Sequence, residues 1–206
     1  MASAERPNRI QRLGHMPPAK STSDPATVSH RNAEPEKSMT RPNEQAPAEI
    51  AIRTSLAPGD VGMIVHLHGV IYAREYGLDH TFEPYVARPL SDFVLAGSGA
   101  GRIWIAESGN RMLGSIAIVR SGDEAQLRWF LLVPEARGKG LGGRLLREAL
   151  GYCRAEGFAS VYLWTFDELA EALALYRKHG FSVTERNTSP RWGRERTELK
   201  MELKLA

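Results

Sequence analysis

Apolar and polar positions change period several times along the chain, and the changes mark out the elements. Alternation over Ile50 to Leu56 predicts a first strand, closed by Ala57-Pro58-Gly59-Asp60, with Asp60 placed to cap the next helix. Ile64, Leu67 and Ile71 then recur at helical spacing, which predicts that helix from about Val61 to Tyr76, ended by Gly77. A second helix is expected over Phe82 to Leu95. It stops before Ala96-Gly97-Ser98-Gly99-Ala100-Gly101, a stretch too glycine-rich for either regular element. Alternation returns in Arg102 to Glu107, Met112 to Val119 and Ala125 to Val133, separated by Ser-Gly-Asn and Ser-Gly-Asp turns, and predicts an antiparallel meander. Next come a glycine loop, a helix from Leu141 to about Glu156 with Leu141, Leu145, Leu146, Ala149, Leu150 and Cys153 inward, and a strand from Ser160 to Thr165. Strand, helix, strand in that order makes a right-handed parallel unit. A helix over Glu168 to His179, stopped by Gly180, and two strands, Phe181 to Glu185 and Arg196 to Leu205, complete an α+β pattern with a mixed sheet.

Composition divides the chain in two. Residues 1–48 hold seven of the twelve prolines and no Trp, Tyr or Phe, so they are expected to form a disordered tail unable to bury enough apolar surface to offset its ordering entropy. Residues 49–206 carry every Trp, Tyr and Phe and are expected to fold as one domain. The net charge of +3 calls for no nucleic acid. The lone Cys153 reads as a small buried hydrophobe, not a metal ligand or nucleophile, and no metal site is expected. No apolar run reaches the length of a membrane span, and the tail lacks the apolar centre of a secretory signal; a cytoplasmic setting is the expectation.

The most specific segment is Leu131-Leu132-Val133-Pro134-Glu135-Ala136-Arg137-Gly138-Lys139-Gly140-Leu141-Gly142-Gly143. A strand ends at Pro134, and a loop of little bulk delivers backbone N–H groups to a helix start, where the helix dipole also favours an anion. Arg137 and Lys139, with Arg144 one turn into the helix, add positive charge. A phosphate-bearing ligand is expected there. The nucleoside triphosphate loop is not matched. Gly138, Gly140 and Gly143 do satisfy the dinucleotide fingerprint, with Asp167 as its ribose ligand, but four residues separate the strand from the first glycine and no second parallel half follows.

Arg137-Gly138-Lys139-Gly140-Leu141-Gly142 resembles the acetyl-CoA motif of the GNAT superfamily, and Ala172-Leu173-Ala174-Leu175-Tyr176-Arg177-Lys178-His179-Gly180-Phe181 is similar to the family's helix after the fifth strand. Val65 to Gly77 and Leu163-Trp164-Thr165 resemble, more closely, the acetyltransferase half of bacterial proteins that fuse a MarR-type winged helix to this domain, although the winged helix itself is absent. The resemblance implies a mostly antiparallel seven-stranded sheet flanked by about four helices. It further implies an N-acetyltransferase that moves an acetyl group from acetyl-CoA to a primary amine by direct attack in a ternary complex. Leu131, Leu132 and Val133 would bind the pantetheine arm through their backbone, and the segment from Arg137 to Arg144 the pyrophosphate. GNAT domains commonly pair, so a homodimer is a further implication.

Tyr176 matches the family's general acid, against a reading in which it packs on the core at helical spacing from Leu169 and Leu173. The family's base position on the fourth strand has no carboxylate here. Glu124 at that strand's start, or Glu75 or His68 on the first helix, stand as candidates beside a water relay. His68, Tyr72, Glu75 and Tyr76 lie along the first helix, which borders the acceptor groove in the family; packing is the competing reading. Leu169 stands where family members often carry Asn. The basic Ser189-to-Arg194 segment reads as a solvated loop, with Trp192 in reach of the acceptor. Two alternatives from other classes are a non-catalytic acyl-CoA sensor and a nicotinamide-dependent oxidoreductase.

Overall fold

The computed structural model describes residues 49–205. The tail expected over residues 1–48 lies outside the described residues.

Seven strands form one sheet in the order β1-β2-β3-β4-β5-β7-β6. They are β1 (Ile50–Arg53), β2 (Gly101–Ser108), β3 (Arg111–Ser121), β4 (Glu124–Leu132), β5 (Ser160–Phe166), β6 (Ser182–Arg191) and β7 (Arg194–Lys204). Four α-helices flank the sheet: α1 (Asp60–Tyr76), α2 (Phe82–Ala96), α3 (Leu141–Ala155) and α4 (Ala170–Lys178). Only β4 and β5 pair parallel, joined by α3; every other pairing is antiparallel. The sheet is therefore mixed and mostly antiparallel, as expected, and it lacks the run of parallel strands that a doubly wound dinucleotide fold requires.

Two apolar layers hold the helices to the sheet. On one face α3 presents Leu145, Leu146, Ala149 and Cys153, all fully buried, against Val161, Leu163 and Met201. Burial of a leucine of this kind contributes about 2 kcal/mol. The same burial pushes the Cys153 thiol up to about 12, so the cysteine is the inert hydrophobe its position predicts. On the other face Ile64 of α1, Leu78 of the connection after it, and Phe82, Val86, Leu90 and Phe93 of α2 cover Ile103, Ile105 and Trp129.

Three local expectations are corrected. Asp60 is the first helical residue and caps nothing: Gly59, at φ 96°, precedes α1 without a side-chain cap. The Asp60 carboxylate accepts from the Ala57 amide at 2.6 Å and pairs with Arg53 of β1 at 2.7 Å, which holds it below the usual carboxylate range. Residues Gly97–Ala100 form a short 3-10 turn, and Gly101 already belongs to β2. The Ser189-to-Arg194 segment is no loop. β6 and β7 run through it as a long hairpin turning at Trp192-Gly193, and the Trp192 ring is buried between Phe82, Tyr85 and Phe166. β6 is mostly exposed on both faces, so its extension comes from the ladder to β7 and leaves no apolar alternation to read.

Candidate active site

A break in the sheet creates the site. β4 and β5 pair only over Glu124↔Ser160, Ala125↔Val161 and Gln126↔Tyr162. Beyond Gln126 the two strands part: β4 continues along β3 and β5 along β7, so each turns one backbone edge toward the gap. A β-bulge sharpens the divergence. Ser115 pairs with Leu131 and Ala117 with Arg128, so β4 carries one extra residue, and Trp129 sits at φ 47°. Ser115 Oγ donates to the Trp129 carbonyl at 2.7 Å and fixes the bulge.

The gap opens into a cavity of about 520 Å³. Its walls are Leu127 to Leu132 of β4 and Trp164, Thr165 and Phe166 of β5. At the end of β4 it meets Gly138, Gly140, Gly142 and Gly143. Gly138 (φ 71°) and Gly140 (φ 80°) take the left-handed conformation that glycine alone adopts without cost, which turns the loop sharply into α3. Gly140 leaves α3 with no side-chain cap, so the first amides of the helix are free to meet an anion. A Cβ on Gly142 would stand 3.4 Å from Leu132 Cδ1 and 3.6 Å from Leu175 Cδ2; the missing side chain keeps the floor of the cavity open.

Most residues singled out in the sequence converge here. Leu131, Leu132, Arg137, Gly138, Gly140, Gly142, Gly143 and Tyr176 line the cavity, as do His68, Tyr72 and Tyr76 from α1. Tyr176 is buried against Phe130 and Phe181, with ring centroids at 6.2 and 5.8 Å, and its hydroxyl makes no hydrogen bond among the described residues. Burial, and then the neighbouring Tyr72, push its phenol above the usual range, so it keeps its proton. Arg137 donates from Nε to the Leu132 carbonyl at 3.1 Å and from Nη1 to Glu75 at 2.8 Å, tying the glycine loop to α1. Glu75 is thereby the partner of the loop arginine and does not line the cavity.

Others are placed elsewhere. Glu124 stands at the closed end of the β4–β5 pair, accepts from Ser160 Oγ at 2.6 Å, and is outside the cavity. Val133 and Leu141 are buried in the core, Lys139 is exposed, and Arg144 pairs along α3 with Glu148 at 3.2 Å. Lys139 and Arg144 therefore offer the loop charge from outside, not contact within the cavity. Trp192 packs behind Phe82 and Tyr85, which themselves line the cavity, so it supports the wall without reaching through it.

The structure adds residues that the pattern did not flag. Phe82 and Tyr85 of α2, Arg128 and Trp129 of β4 and Glu198 of β7 line the same cavity. Along β7, Glu198 alternates with the buried Leu199 and reads as solvent-facing; only the packing of α1, α2 and the β6–β7 hairpin over that end buries it to 5 % exposure. No local signal in the sequence marks it.

His68 is buried at the cavity wall, bonds through Nδ1 to the Ile64 carbonyl at 2.8 Å, and stacks on Tyr72. Burial pushes its imidazole down to about 4, so it is neutral and a poor electrostatic partner for a substrate anion. Because the folded-state value lies below the unfolded one, its stabilising contribution is complete above about pH 6.5 and is lost as pH falls toward 4. Urea titrations at pH 7.5 and 4 should therefore show a loss of up to about 3 kcal/mol that is diminished in His68→Gln.

The Acetyltransferase (GNAT) family model matches residues 70–181, which include the bulged strand, the glycine loop and Tyr176. An uncharacterized N-acetyltransferase of Schizosaccharomyces pombe is 31% identical over 120 residues, covering 55% of this chain and 72% of that protein. N-acetyltransferase family 8 member 3 of Rattus norvegicus is 37% identical over 87 residues, covering 39% of this chain and 38% of its own length. Among solved structures, an acetyltransferase of the GNAT family from Staphylococcus aureus superposes with a TM-score of 0.63 at 18% identity, over 77% of this chain and all of its own. Spermidine N-acetyltransferase from Vibrio cholerae, solved in complex with CoA and spermine, superposes with a TM-score of 0.58 at 20% identity, over 75% of this chain and 95% of its own. With the family match spanning more than half of the chain and the sheet broken between β4 and β5 at the end of the glycine loop, this protein belongs to the GNAT acetyltransferase family.

Proposed function

We propose that the protein transfers an acetyl group from acetyl-CoA to a primary amine. The observation that carries this reading is the opening between β4 and β5, which leads without interruption to the uncapped start of α3. An extended amide-bearing arm fits between two strand edges that lack partners, as a short strand would, and a pyrophosphate fits the free amides at Gly138 to Gly143. When bound, acetyl-CoA supplies the activated acyl group as a thioester.

The chain's own residues then have separate tasks. The edge of β4 at Phe130 to Leu132 orients the arm and polarises the acyl carbonyl through backbone N–H groups. Phe130, Leu132 and Leu175 exclude water from the arm's path. The incoming nitrogen forms its bond to the acyl carbon as the carbon–sulfur bond breaks, and Tyr176 gives its phenolic proton to the departing sulfur. The proton released by the amine restores the phenol. Burial keeps the Tyr176 phenol protonated, so its proton is in place when the sulfur departs.

Calorimetric titration with acetyl-CoA, followed by thiol release with an amine panel, tests the proposal. Micromolar binding and amine-dependent release are expected. Tyr176→Phe should bind acetyl-CoA as the native protein does while kcat falls on the order of 100-fold. Native turnover in that variant would remove the acid role, and absence of acetyl-CoA binding to folded protein would remove the whole reading.

A further inference from the structure

The cavity continues past the bulge, away from the glycine loop, into an end with a charge arrangement of its own. Arg128 lies four residues back from Leu132 along β4, roughly 13 Å at strand rise. Its guanidinium stacks over the Trp129 ring at 5.2 Å, and its one hydrogen bond among the described residues is a 3.4 Å contact to Gln126 Oε1. Facing the same space is Glu198, buried to 5 %, with Oε2 3.1 Å from Arg191 Nη1. Arg128, Glu198 and Tyr85 line the same cavity, and Arg191 joins them through its contact with Glu198.

The other arginines near this space are committed. Arg196, fully buried, is held by Glu168 and by the Tyr76 carbonyl; Arg191 faces Glu198; Arg137 is paired with Glu75 beside the glycine loop. Arg128 is the cavity-lining arginine with no carboxylate partner among the described residues. A half-buried guanidinium in this state is an anion-binding group waiting for its anion, and its planar fork suits a carboxylate. Glu198 is a buried carboxylate in the cavity wall with Arg191 at its Oε2, and its Oε1 has no hydrogen-bond partner among the described residues. Around the pair stand Phe82, Tyr85, Trp129 and Phe166, which supply an apolar wall.

We infer that the acceptor is an amino acid with an apolar or aromatic side chain: Arg128 takes its carboxylate, Glu198 its ammonium group, which gives one proton to solvent before the nitrogen attacks, and the ring-lined wall its side chain. This rests on the acetyl-transfer reading and narrows its substrate class. A polyamine fits poorly, because its extra positive charges would meet Arg128 and Arg191. A lysine side chain or peptide N-terminus lacks the neighbouring carboxylate that Arg128 requires.

The test is a matched panel followed by thiol release: phenylalanine and leucine, their carboxamides, phenethylamine and spermidine. For the native protein, kcat/KM for phenylalanine should exceed that for its carboxamide on the order of 30-fold, the range of a charge-assisted hydrogen bond. Arg128→Gln should bring the amino acid down to the level of the carboxamide with acetyl-CoA affinity unchanged, and Arg128→Lys should recover part of the loss. Glu198→Gln should raise KM for amino acid and carboxamide alike, since both carry the ammonium group. Equal or better use of phenethylamine, the carboxamide or spermidine would overturn the inference. So would a preference that survives Arg128→Gln, or acetyl-CoA binding with no amino acid acetylated. These outcomes leave acetyl transfer standing; failure to bind acetyl-CoA removes both.

Discussion

Gly140→Glu is expected to weaken acetyl-CoA binding about 1,000-fold, equivalent to roughly 4 kcal/mol, while leaving the protein folded. The two halves of that expectation come from different facts. Gly140 holds φ 80°, a conformation that costs an ordinary residue about 1–2 kcal/mol, so the loop relaxes and its amides turn away from the anion. The carboxylate then sets a like charge beside a doubly negative pyrophosphate at the uncapped start of α3. Yet a Cβ at Gly140 meets no atom within 4 Å, so nothing in the core is displaced. Calorimetry reads the first half and thermal melting the second. Micromolar affinity retained in a folded Gly140→Glu protein would show that the pyrophosphate lies elsewhere.

Gly101→Ala is expected to have the opposite profile, a loss of roughly 4 kcal/mol or more in folding stability. Gly101 opens β2 at φ 136°, ψ −147°, a region that is essentially glycine's own. A Cβ there would stand 1.9 Å from the Ile118 carbonyl oxygen and 2.9 Å from its carbon, both backbone atoms of the paired strand. Neither can yield without breaking the β2–β3 ladder at its end, where Gly101 pairs with Val119 and Arg102 with Ile118. Denaturant unfolding of the variant measures the effect. A stability within about 1 kcal/mol of the native protein would show that this end of β2 shifts freely.

The contrast between these glycines shows what could be read from sequence. Arg137 to Gly143 is legible because an anion loop needs small residues at fixed spacing after a strand, and the need is local. The inward face of α3 is legible for the same reason: a period of 3.6 residues puts Leu145, Leu146, Ala149 and Cys153 on one side whatever the helix packs against. Gly101 sits in a run that reads only as breaker, and its demand comes from Ile118, a partner that appears once the strands are paired. Glu124 and Glu198 show the same limit at the site. Glu124 lies on the strand next to the glycine loop, but the parallel pairing with Ser160 puts it at the closed end of the gap. Glu198 lies on a strand that reads as half-exposed, and becomes cavity wall because α2 and the hairpin fold over it. Trp192 likewise looks like a loop tip until the β6–β7 ladder and the rings of Phe82 and Phe166 enclose it.

The sheet is continuous in name, but mechanically it is two slabs, β1 to β4 and β5 to β7, stitched by three residue pairs at one end. Across the far side the slabs are tied through the helices: Arg196 of β7 reaches the Tyr76 carbonyl at the end of α1, and the Asp79 amide donates to the Trp192 carbonyl at 3.2 Å. The two slabs thus resemble the jaws of a clothes peg, joined by the stitches at one end and by these ties at the other. A molecule lying along the open edges would be a splint between the slabs, so its binding free energy would add to the stability of the whole sheet and not merely of the pocket around it.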